Sequence, residues 1–256
     1  MKNFVYEIAV STDRGTVKKE NEDSCFVGKT TDGKGTEIVF ALVADGMGGT
    51  AWGKQASNLV RDTFQKWFLT QLPNLVQKPV GMFEETLLSE WKELLNQCHR
   101  ELSQKKKSAG STLTMLFLYG GTFYALNIGD SRIYRYSNGR LYQITKDHSW
   151  AQMALEQGLT AKEIEADSRR HSLTRCIGGG AKSAKADYFA DFYMDTDCFL
   201  LCSDGLRHLV SVQELTSCLT VGQLEEQLQN VIEIAKLRGE TDNLTGIAIQ
   251  VWTAKE

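Results

Sequence analysis

Four acidic motifs spread over the chain constrain its fold most strongly, because three of them adjoin apolar runs typical of buried strands. The pairs of run and acidic residue are 37–44 with Asp45, 198–202 with Asp204, and 244–251 with Asp242. A carboxylate at the end of a buried strand is costly to desolvate unless a positive charge compensates it. Several such carboxylates brought together would repel one another, and bound divalent cations are the usual remedy. The pattern therefore predicts a scaffold for a hard-metal site, of the kind that supports hydrolytic or phosphoryl chemistry.

An Asp-Gly step alone is weak evidence for such a site. Asp32 begins one inside a polar stretch, where it predicts only a turn. Asp45 and Asp204 differ because a predicted buried strand precedes each of them. Asp242 is followed by Asn243, and its alternative interpretation is an Asx-type turn.

The remaining motif, Asn21-Glu22-Asp23, contributes two carboxylates. For Glu22 and Asp23 the alternative interpretation is a solvated polar turn. Arg14 precedes it, and an arginine beside two metals would make a phosphate cradle, because its planar guanidinium matches two phosphate oxygens. The carbonyl of Gly46 is a candidate cation ligand, since glycine permits close approach of the backbone. Asp130, between two predicted strands, is either a further ligand or a turn residue. Oxygen ligands of this kind suit Mg²⁺ or Mn²⁺ and do not favour zinc.

Composition excludes several other classes of protein. The chain has 256 residues, 42% of them hydrophobic, and a net charge of -3, which argues against a general nucleic-acid binder. No apolar stretch approaches the ~18 residues that a membrane span needs, and the N-terminus does not have the pattern of a secretory signal. None of the 6 cysteines forms a C-x-x-C pair, which favours reduced thiols and a cytoplasmic location.

Hydrophobic periodicity predicts helices and strands in separate blocks. Helices are predicted at 51–71, 82–104 and 223–236, from apolar stripes at helical spacing. Strand pairs are predicted at 111–119 with 122–128, 132–136 with 141–144, and 187–193 with 198–202, followed by a last strand at 244–252. Such blocks indicate an α+β fold in which helices pack outside antiparallel sheets. The sequence contains no repeat and no linker, which favours one domain. The polar segment 147–180 is either a functional lid or a plain surface insertion.

The acidic motifs belong to a longer ordered set, which the chain carries in the order Arg14-Gly15 with Asn21-Glu22-Asp23, Asp45-Gly46-Met47-Gly48-Gly49, Gly110-Ser111-Thr112, Gly129-Asp130-Ser131-Arg132, Asp147-His148-Ser149, Leu173-Thr174-Arg175, Ser203-Asp204-Gly205 and Asp242-Asn243-x-Thr245. This set resembles the metal-dependent Ser/Thr protein phosphatase family, the PPM or type 2C-like family, in its compact bacterial form. The resemblance covers residues 6–252. It implies a four-layer α-β-β-α sandwich of two antiparallel sheets flanked by helix pairs. It further implies one domain over 1–256, with 147–180 as the flap beside the active site.

The resemblance also implies a binuclear Mn²⁺ or Mg²⁺ centre, in which Asp45 bridges both ions. Asp204 and Asp242 would complete one site, and these three aspartates would be the catalytic residues. The Gly46 carbonyl would serve the other ion, with Glu22 and Asp23 acting directly or through water.

Two further roles come from the same resemblance. Arg14 would hold the substrate phosphate. Asp130 and Asp204 would form a looser third metal site, although His208 stands where some relatives carry an acidic ligand of that site.

The function implied is hydrolysis of phosphoserine and phosphothreonine by a metal-bridging hydroxide, without a covalent enzyme intermediate. The expected partners are phosphorylated proteins, a Ser/Thr kinase and its substrates, and the chain is expected to be a cytoplasmic monomer that binds neither nucleic acid nor membrane. The alternatives are a catalytically silent module that binds phosphoproteins or regulates a kinase, and a hydrolase of small phosphate esters. Loss of a metal carboxylate would favour the silent module, and a deep closed pocket would favour the small-ester hydrolase.

Overall fold

The computed structural model describes residues 3–105, 108–219 and 222–254, and this part of the chain forms two antiparallel sheets. The strands are β1 (Phe4–Asp13), β2 (Asp23–Thr31), β3 (Glu37–Met47), β4 (Gly110–Ser111), β5 (Leu113–Tyr119), β6 (Thr122–Ile128), β7 (Arg132–Ser137), β8 (Arg140–Gln143), β9 (Ile177–Gly178), β10 (Asp187–Phe192), β11 (Cys198–Cys202) and β12 (Leu244–Thr253). One sheet has the order β1-β12-β11-β7-β8. The other has the order β10-β6-β5-β3-β4-β9, and β2 pairs with β3 beside it.

Helices cover the outer face of each sheet. They are α1 (Thr50–Thr70), α2 (Leu72–Leu75), α3 (Val80–Lys105), α4 (Trp150–Glu156), α5 (Ala161–Ala166), α6 (Gly205–His208), α7 (Val212–Ser217) and α8 (Leu224–Leu237). The long helices α1 and α3 pack on the sheet that contains β3, and α8 packs with the short α6 and α7 on the sheet that contains β12. The predicted four-layer sandwich is confirmed.

Residues 38–44 of β3 are all apolar because both faces of this strand are buried. Side chains alternate between the two faces of a strand. Phe40 and Leu42 face the α1–α3 layer, whereas Val39, Ala41 and Val43 face the other sheet. Both faces are therefore buried, so the run needs no polar residue until it reaches Asp45 at the end of the sandwich.

The predicted helices and two of the predicted hairpins are confirmed, with helix ends that differ by one or two residues. Gly120 and Gly121 connect β5 to β6, and both have positive φ angles, 59° and 88°. Asn138 and Gly139 connect β7 to β8 with φ angles of 52° and 77°. These angles are those of type I′ turns, which match the twist of paired strands.

The predicted pairing of 187–193 with 198–202 is wrong. β10 pairs with β6 in one sheet, whereas β11 pairs with β7 and β12 in the other. The connection between them crosses from sheet to sheet: the Tyr193 amide donates to the Gly121 carbonyl at 3.0 Å, and the Thr196 amide donates to the Val251 carbonyl at 3.0 Å. Proximity in sequence therefore does not produce a hairpin here.

The segment 147–180, the predicted flap, contains α4, α5 and β9, and its residues 148–150 are joined to its residues 172–174. The Trp150 amide donates to the Ser172 carbonyl and the Thr174 amide to the His148 carbonyl, both at 2.8 Å. The part of the flap that carries α4 and α5 is therefore a loop closed at its base, and β9 pairs separately with β4. Among the described residues, no helix combines the length and the apolar character that a membrane span requires.

Candidate metal centre

Six carboxylates meet at the ends of the central strands, and we call them the acidic cluster: Glu22, Asp23, Asp45, Asp130, Asp204 and Asp242. Asp23 begins β2 and lies directly opposite Asp45 in β3. Asp204 directly precedes α6, and Asp242 lies just before β12. The sandwich therefore brings the four acidic motifs, and Asp130 with them, to one end of the molecule.

Asp45 is at the electrostatic centre of the cluster. Burial raises the pKa of its carboxyl well above the usual range, and the nearby charges of Asp23, Asp204, Asp130 and Asp242 raise it further. Its backbone is fixed by a pair of hydrogen bonds, from the Asp45 amide to the Thr112 hydroxyl and from the Thr112 amide to the Asp45 carbonyl, both 2.9 Å long.

Asp23 lies beside it with only part of its carboxylate satisfied. Burial raises the pKa of Asp23 to about 7; hydrogen bonds from Thr245 and Ser203 oppose the rise, and the charges of Asp204 and Asp242 add to it. The Ser203 hydroxyl donates to Oδ2 at 2.8 Å. Among the described residues, Oδ1 has no hydrogen-bond partner although it is buried. A buried carboxylate oxygen without a partner is costly, unless a ligand supplies one.

Glu22 and the Gly46 carbonyl face the same space beside α1. The Oε1 atom of Glu22 is buried and has no hydrogen-bond partner among the described residues. A Cβ atom added at Gly53 would collide with this oxygen and lie 2.8 Å from the Gly46 carbonyl oxygen. Burial also raises the pKa of Glu22, and the positive charge of Lys18 opposes this rise. Glu22 Oε1 and the Gly46 carbonyl oxygen thus face one small space, the cradle, which any side chain larger than that of glycine at position 53 would fill.

Asn243 organises this side of the cluster. Its side-chain amide donates to the carbonyls of Arg14 at 2.8 Å and Glu20 at 3.1 Å, and its Oδ1 accepts from the Glu22 amide at 2.9 Å. It therefore fixes the loop that carries Glu22 to the start of β12. The sequence motif contains Asn243, but nothing in its spacing indicates this connecting role.

The cationic residue paired with Asp242 of the cluster is Lys18. The Lys18 ammonium lies 2.8 Å from Asp242 Oδ1, and both side chains are 36% exposed. The Arg14 guanidinium instead donates to the Lys19 carbonyl at 3.4 Å. Sequence reasoning missed Lys18, and its place three residues before the motif Asn21-Glu22-Asp23 was the only signal available. Arg14 is exposed, and its predicted phosphate-binding role stays a prediction.

The two carboxylates of the predicted third site have side-chain neighbours of their own. Asp130 lies 3.8 Å from the Arg207 guanidinium, measured from Oδ2 to Nη2. Burial and the charge of Asp204 raise the pKa of Asp130 to about 7, and Arg207 opposes the rise. The His208 ring lies 3.5 Å from Asp204 Oδ2 and 3.6 Å from Glu240 Oε2.

The oxygen ligands of the cluster suit hard divalent cations, although the side chains are not yet arranged around a common point. Within the described residues, no three or more His, Cys, Asp or Glu side chains form a ready metal site. Asp242 is paired with Lys18, so a cation bound to Asp242 must displace that ammonium. The fit rests on three observations. Oxygens of Glu22 and Asp23 have no partner among the described residues, and Gly53 leaves a cradle open beside them. Burial and the charges of neighbouring carboxylates raise the pKa values of Asp23 and Asp45. Divalent cations would supply the missing partner and offset the repulsion.

Comparison with known proteins agrees with this geometry. The model of the protein phosphatase 2C family matches residues 14–238. A putative protein phosphatase 2C-type from Streptococcus pyogenes is 32% identical over 93% of this chain and 95% of its own length. The serine/threonine protein phosphatase PstP of Mycobacterium tuberculosis is 29% identical over 97% of this chain, which spans 45% of that protein. The chain therefore belongs to the protein phosphatase 2C family, in the class of protein-serine/threonine phosphatases.

A solved structure of a related catalytic domain contains metal ions. The crystal structure of the catalytic domain of PstP in complex with two manganese ions superposes with a TM-score of 0.80, at 28% identity, over 98% of this chain and all of that one.

Proposed function

We propose that the chain hydrolyses phosphoserine and phosphothreonine in proteins, with two Mn²⁺ or Mg²⁺ ions held by the acidic cluster. The observation that carries the proposal is the pair of buried carboxylate oxygens without a partner among the described residues, Glu22 Oε1 and Asp23 Oδ1. They lie near Asp45, whose pKa is raised well above its usual range. The two manganese ions in the PstP structure support the count and the class of metal.

Each ligand has a place in this proposal. Asp45, whose carboxyl is close enough to be affected by the charges of the other aspartates of the cluster, would be shared by both ions, and Asp204 and Asp242 would complete one site. The Gly46 carbonyl, Glu22 and Asp23 would serve the other side, directly or through water. When bound, such ions supply Lewis acidity and activate water for attack on phosphorus.

The chain's own residues would hold the reacting groups in position. Thr112 fixes the backbone of Asp45, Ser203 orients Asp23, and Asn243 holds the loop that carries Glu22. Because these supports are hydrogen bonds to neighbouring strands, the carboxylates are positioned before a substrate arrives. Lys18, the cation on Asp242, would turn to the phosphoryl oxygens, where an ammonium offsets developing negative charge.

The wider role follows from the activity. A phosphatase of this class opposes a Ser/Thr kinase, and we propose that this chain acts on such a kinase and its phosphorylated substrates. All 6 cysteines are free, which supports a reducing, cytoplasmic location. We propose further that residues 1–256 act as one domain and as a monomer. All the predicted metal carboxylates are present and converge, which favours an active enzyme over a silent binding module.

Substitution of Lys18 tests the phosphate-binding part of the proposal. We expect Lys18→Met to lower kcat/KM for a phosphothreonine peptide by roughly 10-fold or more, because a charge-assisted contact to phosphate is lost. Arg14→Met is the matched control and should stay within about twofold of wild type, the range of an exposed side chain without a partner in the site. Initial rates at saturating Mn²⁺ measure both. The reverse order of effects would restore Arg14 as the phosphate-binding residue and refute the assignment of Lys18.

A further inference from the structure

We propose that Arg207 replaces a third cation at Asp130, so that the chain holds two divalent ions and a fixed guanidinium rather than three ions. The inference rests on the two-ion site proposed above and concerns the carboxylates beyond it. The resemblance predicts a looser third site at Asp130 and Asp204, and the residues that surround those two carboxylates do not fit it.

Arg207 is held against Asp130 by several contacts. Its Nη2 donates to the backbone carbonyl of Asp130 at 3.0 Å and to Asp147 Oδ2 at 3.3 Å, and it lies 3.8 Å from Asp130 Oδ2. The side chain is only 13% exposed. A guanidinium does not lose its proton in a protein, so this positive charge is permanent. A cation coordinated by Asp130 would have to bind within a few ångströms of it.

The partner carboxylate Asp147 is fixed as well. Arg132 clamps it with two parallel hydrogen bonds, Nε to Oδ1 and Nη2 to Oδ2, each 2.7 Å long. Asp147 is also the first residue of the flap and is buried. The anchor of Arg207 is therefore a carboxylate that cannot turn away without breaking a bidentate ion pair. Through it, Arg207 connects Asp130 to the base of the flap.

These contacts distinguish Arg207 from Lys18, which also lies on a carboxylate of the cluster. The Lys18 side chain is 36% exposed, and its ammonium contacts Asp242, itself a proposed ligand. A metal that takes Asp242 therefore releases Lys18 to solvent or substrate. Two of the three Arg207 contacts are to atoms that no ion would claim in the predicted third site, the Asp130 carbonyl and the Asp147 carboxylate. Metal binding would leave Arg207 where it is.

The next residue, His208, occupies the other side of the same space. Its Nε2 lies 3.5 Å from Asp204 Oδ2, and its ring packs against His171 of the flap with centroids 5.8 Å apart. Arg207 and His208 line one cavity of about 380 Å³ together with Asp130 and residues of the flap. The turn that follows Asp204 thus places two nitrogen-bearing side chains where the third site would need oxygen ligands.

Counting bound Mn²⁺ tests the inference without reference to turnover. We expect equilibrium dialysis, with free Mn²⁺ followed by electron paramagnetic resonance, to give two ions per wild-type chain up to millimolar metal. Arg207→Gln keeps an amide that can bond the Asp130 carbonyl but removes the charge, and it should acquire a third, weak ion. The affinity for that ion should exceed that of wild type by on the order of 10-fold or more, because a like charge at close range is removed.

Two controls and two contrary outcomes complete the test. Arg207→Lys keeps the charge and should still bind two ions, as should Arg170→Gln, which removes a charge from the same cavity without touching Asp130. Three ions on wild type, reduced to two by Asp130→Asn, would overturn the inference and leave the two-ion proposal standing. A count of two for Arg207→Gln would also overturn it. A wild-type chain that binds no Mn²⁺ would refute the two-ion proposal itself.

Discussion

Replacement of Asp45 by asparagine should abolish turnover and at the same time stabilise the metal-free protein. We expect kcat/KM for a phosphothreonine peptide to fall by about 10³-fold or more, because the ligand proposed to be shared by both ions is lost. In the absence of metal the same change removes one charge from a group of buried, mutually repelling carboxylates. Initial rates in Mn²⁺ and thermal unfolding in EDTA measure the two effects.

A matched control for this substitution lies in the polar turn after β2. Asp32 also begins an Asp-Gly step, but backbone hydrogen bonds from Lys34 and Thr36 lower the pKa of its carboxyl despite the opposing effect of desolvation. Asp32→Asn should therefore leave the activity near that of wild type and destabilise the chain slightly. Appreciable activity in Asp45→Asn, or a lower melting temperature in EDTA, would contradict the assignment of Asp45 to the centre of the cluster.

Stability of the metal-free protein should fall as the pH rises from 6.5 to 8. Burial raises the pKa values of Asp23 and Asp130 to about 7, above their usual 3.8, so the folded state binds more protons than the unfolded state over this range. The free energy of unfolding then decreases with pH, by a few kcal/mol in total between pH ~4 and ~8. Bound Mn²⁺ should remove the decrease, because it stabilises the ionised carboxylates.

The pH window matters because histidines act in the opposite direction below it. Burial lowers the pKa of His148 and His171, so these groups destabilise the fold as they are protonated under acidic conditions. Above pH 6.5 their contribution fades, and the carboxylates dominate. Urea unfolding in EDTA at pH 6.5 and 8 measures the change, and Asp23→Asn should reduce it. A metal-free chain that is equally stable at both pH values would show that ionisation of the buried carboxylates of the acidic cluster does not destabilise the fold.

Sequence alone predicted those parts of the fold in which one local pattern decides the outcome. The run at 38–44 is apolar throughout because both faces of β3 are buried, and the Asn138-Gly139 turn selects its hairpin through backbone angles. β1 was not predicted, although its alternation of buried and exposed residues, with Glu7 on the exposed face, is the usual pattern of a half-buried edge strand. The β10–β11 pairing failed because the choice between two sheets is made by tertiary packing.

For the site, the sequence identified the carboxylates but not the cations that accompany them. Position along the chain indicates where Asp45, Asp204 and Asp242 end or begin strands, and the fold then brings them together. The pairing of Lys18 with Asp242 depends on the path of one loop, which Asn243 fixes from the far end of the chain. No spacing rule carries that information.

The most direct test of the account is initial-rate hydrolysis of a phosphothreonine peptide by the purified chain while Mn²⁺ and Mg²⁺ are titrated. EDTA and Asp204→Asn serve as controls, since the first removes the ions and the second removes one carboxylate while the fold survives. We expect turnover that rises with metal and vanishes in both controls. Turnover that persists in EDTA or in Asp204→Asn, or its absence from folded, metal-loaded wild type, would contradict the central claim, and the last result would indicate a silent phosphoprotein-binding module.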